Sequence, residues 1–387
     1  MTEKFFELIQ ITLGNRDRFS QMPSREEWEQ LYLLSQKHSL TSLLLEGVNK
    51  VKNDNANDND NVNDNDNANH NENDNVNLDQ WLVFEWIGVR LQTESSNKVQ
   101  NQRAKEICQL FKESGFRGCV LKGQGTALYY EHPEYRQCGD IDIWVTKDGR
   151  CNTDEVRSDI LDFAHKKGWK IGHIDIKHSD MEIFEDVPVE VHFLPSWMYC
   201  PSTNRRLQKF FEDSKEREFT NLDESVGFVH TTLDFDLVYS MVHIYRHIFS
   251  EGIGLRQLMD YYMILRSVKS EGLRSKSFEM LCSLRMRNFV GGIMWILREC
   301  FGMEAEYLLC PVNKRHGEFL LSEIMTAGNF GQYDERTKQV SKDKKFKRGF
   351  VQLGRNLRFV SYYPSEVLWS PFWKLWHWVW RKKRGYL

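Results

Sequence analysis

The sequence predicts an α+β protein: a mixed β-sheet core with flanking helices, and further helical regions at both ends. Three observations carry this expectation. Residues 116–121 are an apolar run that breaks at Lys122-Gly123-Gln124-Gly125, as a strand entering a glycine turn does. Two later stretches, Gly139 to Val145 and Val187 to Phe193, alternate polar and apolar residues with the period of two that marks a strand. Most other apolar residues recur at three and four, the helical spacing.

The 387 residues suffice for two or three domains, and 41% hydrophobic with 28% charged residues is the balance of a soluble protein. The amino-terminal MTEKFFELIQITLGNRDRF carries charges where a signal peptide needs an apolar core, and no uninterrupted apolar stretch reaches ~18 residues. A cytoplasmic location is therefore expected. Eight cysteines (Cys108, Cys119, Cys138, Cys151, Cys200, Cys282, Cys300, Cys310) are dispersed, with no C-x-x-C and no histidine at metal spacing. They read as reduced thiols, which argues against zinc and against a disulfide framework.

In chain order, residues 1–52 read as a helical region. Phe5, Phe6, Ile9 and Leu13 share a stripe, and Ser24-Arg25-Glu26-Glu27 has the form of a capped start for a helix carrying Trp28, Leu31, Leu33 and Leu34. His38 is given only a packing or surface role. Residues 53–77 alternate asparagine with Asp, Ala, Val, His and Glu; they have little to bury and are expected to be disordered. The glycines and spaced glutamate of a calcium loop are missing there. Without the seven acids of this array the formal charge moves from −3 to +4, a mildly basic remainder compatible with a nucleotide substrate.

Residues 78–224 form the expected core. They open with one long helix or two joined ones, from Trp81 to Phe111, stopped at Gly115. Asp154 to Lys167 reads as an amphipathic helix, and strands are expected at 169–176, 181–184 and 187–193. Residues 225–335 turn helical again.

The chemistry concentrates between residues 116 and 145. The turn after the first strand presents backbone N–H groups at a helix start, glycines allow close approach, and Lys122 adds a full charge: phosphate is the expected guest. Alternation puts Asp140 and Asp142 on one strand face and Ile141 and Ile143 on the other. Adjacent carboxylates repel unless a cation lies between them, and Mg²⁺ or Mn²⁺, held by carboxylates and substrate phosphates, resolves the conflict. Arg136 is a further candidate for a phosphate oxygen. Each motif alone is weak, since glycine turns and surface acids are ordinary. Their conjunction supplies the parts of a metal–nucleotide site in a workable order. In the later strand Glu190 and His192 face away from Val189 and Val191. Asp175 and Glu182 also sit on expected strands, but Glu190 lies in the most apolar one; His192 either orients Glu190, touches substrate, or is structural.

The run V-L-K-G-Q-G-T-A-L-Y-Y through Y-R-Q-C-G-D-I-D-I-W-V resembles an uncharacterised bacterial nucleotidyltransferase family of the DNA polymerase β-like superfamily, and more distantly the nucleotidyltransferase toxins of abortive-infection systems. The resemblance implies a nucleotidyltransferase-type core. In it the turn residues Lys122, Gly123, Gln124 and Gly125, with Gly139, hold an NTP. Asp140 and Asp142 hold metal, and Glu190 matches the third carboxylate, a metal ligand or base. Many superfamily members carry Gly-Ser in the turn; here the serine is absent and Lys122 takes its place. A second block, His243, His247, Gly252, Gly254, Leu255, Arg256 and Asp260, resembles another signature of the family and extends the likeness over roughly residues 80–380. Arg256 opens a helix, either as a phosphate contact or as the i+4 ion-pair partner of Asp260. His243 and His247 lack the glutamate and third ligand of a zinc site and are read as structural or substrate-contacting.

The implied function is Mg²⁺-dependent transfer of NMP from an NTP to an unidentified hydroxyl or amine. The alternatives are a non-catalytic nucleotide-binding or protein-interaction module, and a tRNA-modifying toxin. Residues 336–387 remain: a basic run from Lys338 to Arg348, then Trp369, Trp373, Trp376, Trp378 and Trp380 ahead of Arg381, Lys382, Lys383 and Arg384. Either the tryptophans pack on the helical lobe or Trp369 to Arg384 makes a peripheral membrane contact. No strong nucleic-acid signature is present.

Overall fold

The computed structural model describes residues 1–60, 78–150, 152–334, 354 and 357–386. The chain opens with α1 (Thr2–Leu13), α2 (Arg25–Lys37) and α3 (Thr41–Asp60). The capping signal at Ser24 is made in both directions. Glu27 N–H donates to Ser24 Oγ at 3.3 Å and Ser24 N–H donates to Glu27 Oε2 at 2.8 Å, which satisfies two donors at the start of α2. Residues 53–60 of the asparagine array, expected to be disordered, instead continue α3; residues 61–77 of it lie outside the described residues, as does the basic run 338–348.

The long helix is a single piece, α4 (Gln80–Glu113), which buries Asn97, Gln100, Ala104, Ile107 and Phe111 at helical spacing. It feeds β1 (Arg117–Val120), α5 (Gln124–Ala127), β2 (Ile141–Thr146), α6 (Thr153–Lys167), β3 (Lys170–Ile174), β4 (His178–Glu182) and β5 (Val189–His192). The sheet order is β1-β2-β5-β4-β3. The β2 and β5 strands run parallel, with α6 and the β3–β4 hairpin between them in sequence, and the other pairs are antiparallel. The alternation predicts the strands, and their mixed sheet is the one that the resemblance implies. The β4 strand, however, starts at His178, three residues before the expected 181. Its polar start is held by backbone pairing with β5, which needs no apolar pattern.

Helices cover both sheet faces. Ile141, Ile143, Val145, Val189 and Val191 pack in one cluster with Ile107 and Phe111 of α4 and Val156 and Ile160 of α6. Against the other face lie α7 (Pro201–Glu218) and α8 (Leu233–Ser250), where Trp144 meets Phe211, Phe219 and Phe235. All six residues of β2 are consequently buried, Asp142 among them. A short hairpin that periodicity does not predict, β6 (Leu222–Asp223) with β7 (Phe228–Val229), leads into a bridge between His230 and Val120 of β1.

The helices α9 (Leu255–Arg266), α10 (Glu271–Ser283), α11 (Arg287–Phe301) and α12 (Lys314–Ala327) complete the helical region and share one core with α1, α2 and α3. The last described helix is α13 (Pro364–Lys383), part of whose tryptophans pack inward as the first reading of the tail expects. On its inner side Trp373 packs on Tyr199, His377 pairs with Asp175 at 3.2 Å, and Trp380 is buried beside Arg157. On its outer side Leu368, Trp369, Phe372, Leu375, Trp376 and Val379 are exposed. No described helix is long and apolar enough to cross a membrane.

Candidate active site

The turn after β1 is set by Gly123, whose φ of 62° falls in the left-handed region and whose added Cβ would lie 3.3 Å from the Asp140 carbonyl. The expected helix-dipole anion site is corrected here: α5 has only four residues, too few to build a macrodipole, so attraction for a phosphate falls to Lys122. Gln124 and Gly125, expected among the nucleotide contacts, turn away. Gln124 Nε2 donates to Asn101 Oδ1 at 2.6 Å and to the Asn97 carbonyl at 3.3 Å, and Gly125 is pressed against His230. These two residues fix the turn to α4 and to the end of β7.

The carboxylates come together through register. Parallel pairing sets Asp142 beside Glu190, and Asp140 precedes β2 on the same side. One carboxylate oxygen each from Asp140, Asp142 and Glu190 lie within 4.8 Å of one another. Lys122 Nζ is 3.0 Å from Asp142 Oδ2, and His192 Nε2 is 2.9 Å from Asp142 Oδ1 and 3.4 Å from Glu190 Oε2. His192 Nδ1 lies 3.2 Å from the Leu194 carbonyl, which fixes the ring. The rival acids are engaged elsewhere: Asp175 with His377 on α13, Glu182 with Lys170 at 2.5 Å.

Charge balance inside this cluster follows from geometry. Repulsion by Asp142, then burial, pushes the Asp140 carboxyl above its ordinary range. Burial also works against the Asp142 carboxylate, but Lys122 and His192 outweigh it and hold its pKa low. Burial likewise opposes the Glu190 carboxylate, and hydrogen bonding to His192 again prevails. The His192 imidazolium survives burial because Asp142 and Glu190 both accept from it. His178, whose Nδ1 lies 3.2 Å from Glu190 Oε2, is held at about 3 by burial and by Lys177 and His192, so of the two rings His192 is the charged one. Three carboxylates converging at the edge of a groove, with Asp142 buried and Asp140 and Glu190 half-buried, form the hard oxygen donor set that Mg²⁺ or Mn²⁺ takes.

A narrow cavity of about 50 Å³ opens beside Asp140, lined by Lys122, Gly123, Arg136, Gly139, Tyr239, His243 and Arg256, far below the roughly 300 Å³ at which small-molecule pockets begin. It admits a phosphate-sized group. Beyond Asp140 a groove of about 950 Å³ runs past Glu190, Asp180 and residues 187–189. A further cavity of about 820 Å³, under α13, is lined by Trp144, Arg157, Trp197 and Trp380 and contains none of the three carboxylates.

Around the narrow cavity the structure separates residues that the sequence grouped. Arg136 is buried and bidentate to Asp260, Nε to Oδ1 and Nη2 to Oδ2, each at 2.7 Å, while Tyr130 Oη donates to the same carboxylate at 2.7 Å. Its guanidinium is thereby committed to Asp260. The i+4 pair of Arg256 with Asp260 is not formed. Arg256 donates Nη1 to the Gln137 carbonyl at 2.6 Å and leaves a buried Nε without a hydrogen-bond partner among the described residues. His247 packs against His243 with ring centroids 4.2 Å apart and the planes tilted by 53°, and it faces Glu251 at 3.4 Å; neither ring belongs to a metal-type cluster among the described residues. Sequence reasoning missed His178 and Tyr239. His178 carried a signal, the alternation His178-Ser179-Asp180, obscured by the absence of apolar residues. Tyr239 reaches the site only through the packing of α8 on the sheet.

The sequence model of a family described as uncharacterised nucleotidyltransferases matches residues 24–302, and the chain belongs to that family. The match takes in α2 and α3 as well as the sheet, and ends at the close of α11, so α13 lies outside it. Among solved structures the chain is similar to an antigenic nucleotidyltransferase-like protein from Paracoccidioides brasiliensis, with 13% identity and a TM-score of 0.33 over 55% of this chain and 93% of that one. That likeness bears on neither substrate nor mechanism. Among curated proteins nothing matches the chain.

Proposed function

We propose that the protein is a divalent-cation-dependent nucleotidyltransferase that moves NMP from an NTP to a hydroxyl or amine acceptor. One observation carries this reading: Asp140, Asp142 and Glu190 converge where a phosphate-sized cavity containing Lys122 and Arg256 meets a wide groove. The three carboxylates would hold Mg²⁺ or Mn²⁺, which supplies charge neutralisation of the phosphates and activation of the attacking oxygen. Lys122 and the free Nε of Arg256 bind phosphate oxygens, and Gly123 lets the backbone approach them. Arg136 positions α9 against the 133–136 turn through Asp260. His192, tied to the Leu194 carbonyl, orients Asp142 and Glu190. The wide groove receives the acceptor.

A second reading has its own observation. Asp142 already faces two cations, with Oδ1 hydrogen-bonded to His192 and Oδ2 3.0 Å from the Lys122 ammonium without hydrogen-bond geometry, which suits a nucleotide-binding module without catalysis. Calorimetric and thermal-shift binding of ATP, GTP, CTP and UTP, each with and without Mg²⁺, tests the two on wild type and Asp142→Asn. Metal-dependent binding of one nucleotide that the variant loses, followed by turnover with an acceptor, supports the enzyme. Binding indifferent to metal and to the variant supports the module. No binding to any of the four removes both.

A further inference from the structure

Beside the carboxylate trio lies a second set of donors of different chemistry. Antiparallel pairing of β4 with β5 sets His178 directly opposite His192 and Asp180 opposite Glu190. The two imidazoles meet edge to face with centroids 5.0 Å apart. One ligand atom each from His178, Glu190 and His192 lie within 4.8 Å of one another. His192 has the tie of a metal-bound histidine, Nδ1 on a backbone carbonyl, which turns Nε2 toward the carboxylates; with no cation bound, Nε2 carries the proton that Asp142 and Glu190 accept, and a cation taking its lone pair releases that proton to solvent. His178 Nδ1 is buried and has no hydrogen-bond partner of good geometry among the described residues, only the Glu190 oxygen 3.2 Å away.

We propose that His178, Glu190 and His192 form a second cation subsite, taking a first-row transition ion of the Mn²⁺ to Zn²⁺ series, with Glu190 shared between it and the Asp140–Asp142–Glu190 trio. The inference rests on the nucleotidyltransferase reading of that trio. Two imidazoles and one carboxylate match transition ions, whereas Mg²⁺ favours oxygen donors and retained water. Three protein ligands leave a position open, and the setting has room for it. Glu190 lines the wide groove together with Asp180, while Lys122 lies in the narrow cavity. The second ion therefore belongs to the acceptor side and the carboxylate ion to the phosphate side. A shared carboxylate suits the roughly 3.5–4 Å spacing of two-metal centres.

The test uses the full-length protein with Co²⁺ and Mn²⁺ as probes and Mg²⁺ as the contrast, reading stoichiometry by calorimetry and imidazole ligation by Co²⁺ absorption and Mn²⁺ nitrogen coupling. Wild type should bind two equivalents of the transition ion, with a nitrogen signature, and one of Mg²⁺. His178→Ala, and His178→Gln as the less disruptive companion, should lose that signature and weaken the second equivalent by at least about tenfold. Asp140→Asn should remove the other equivalent and keep the nitrogen signal. A single equivalent that Asp140→Asn abolishes and His178 variants leave alone overturns the second subsite and leaves the nucleotidyltransferase reading standing. No cation binding by wild type, even with NTP present, overturns both.

Discussion

The two faces of β2 are built from opposite chemistry. Ile141, Ile143 and Val145 enter an uncharged core between α4 and α6, while two residues of the opposite side, Asp142 and Trp144, are buried just as deeply. One side of the strand stabilises the fold by removing apolar area from water. The other buries Asp142 and His192 against the half-buried Lys122 and Glu190, and a buried charge needs a partner to remain. Substitutions on the two faces should therefore fail in different ways.

The largest effect belongs to the charged face. Asp142→Asn and Asp140→Asn should each lower transfer by about 10³-fold, the several kcal/mol expected when a cation site is lost, read in a steady-state assay with the nucleotide that binds. Their stabilities should diverge. Asp142→Asn leaves Lys122 and His192 without their shared anion and should cost up to about 3 kcal/mol in urea unfolding. Asp140→Asn relieves repulsion by Asp142 and should leave the protein as stable as wild type or slightly more so. Equal destabilisation by both would show that the asymmetry between these two acids is not real.

Next comes the buried pair at the rim. Arg136→Met strands Asp260 and Tyr130 and should cost about 3–5 kcal/mol, and the double variant with Asp260→Leu should recover part of that loss in a mutant cycle. On the apolar face, Ile143→Ala should cost about 2–5 kcal/mol while nucleotide affinity at temperatures below its melt stays unchanged. The smallest effect is a slope. His38 is fully buried, accepts from the Leu255 N–H at 3.3 Å, and has its pKa held by burial at about 3. An unfolded chain takes up this proton below 6.5 and the folded chain only near 3, so stability falls as pH falls through that window. His38→Gln should make the fall shallower by about 1.4 kcal/mol per pH unit there.

What the sequence shows about this site is what local periodicity carries. Two-residue alternation places Asp140 and Asp142 together and turns Glu190 and His192 away from Val189 and Val191, and the helix-strand entry at Phe116 follows from the long stripe of α4. What it does not show lies in pairings across the chain. Arg136 meets Asp260 over 124 positions, and Gln124 faces α4 because Asn97 and Asn101 are there to accept from it. Burial of Asp142 was equally hidden, since a D-x-D alternation looks the same whether its acidic face meets water or α7 and α8. His178 shows a third limit: a polar strand stabilised by its neighbour's backbone has no pattern of its own.

The parallel pairing of β2 with β5 has a consequence for how the protein comes into being. Asp140 and Asp142 are synthesised almost fifty residues ahead of Glu190, and the strand that presents Glu190 can dock only after α6 and the β3–β4 hairpin have been made. A nascent chain that ends before residue 189 holds two repelling acids with no third, and such non-local pairings close late. Assembly of the acidic cluster is thus coupled to elongation: the ribosome must pass Glu190 before Asp140 and Asp142 can meet their third carboxylate.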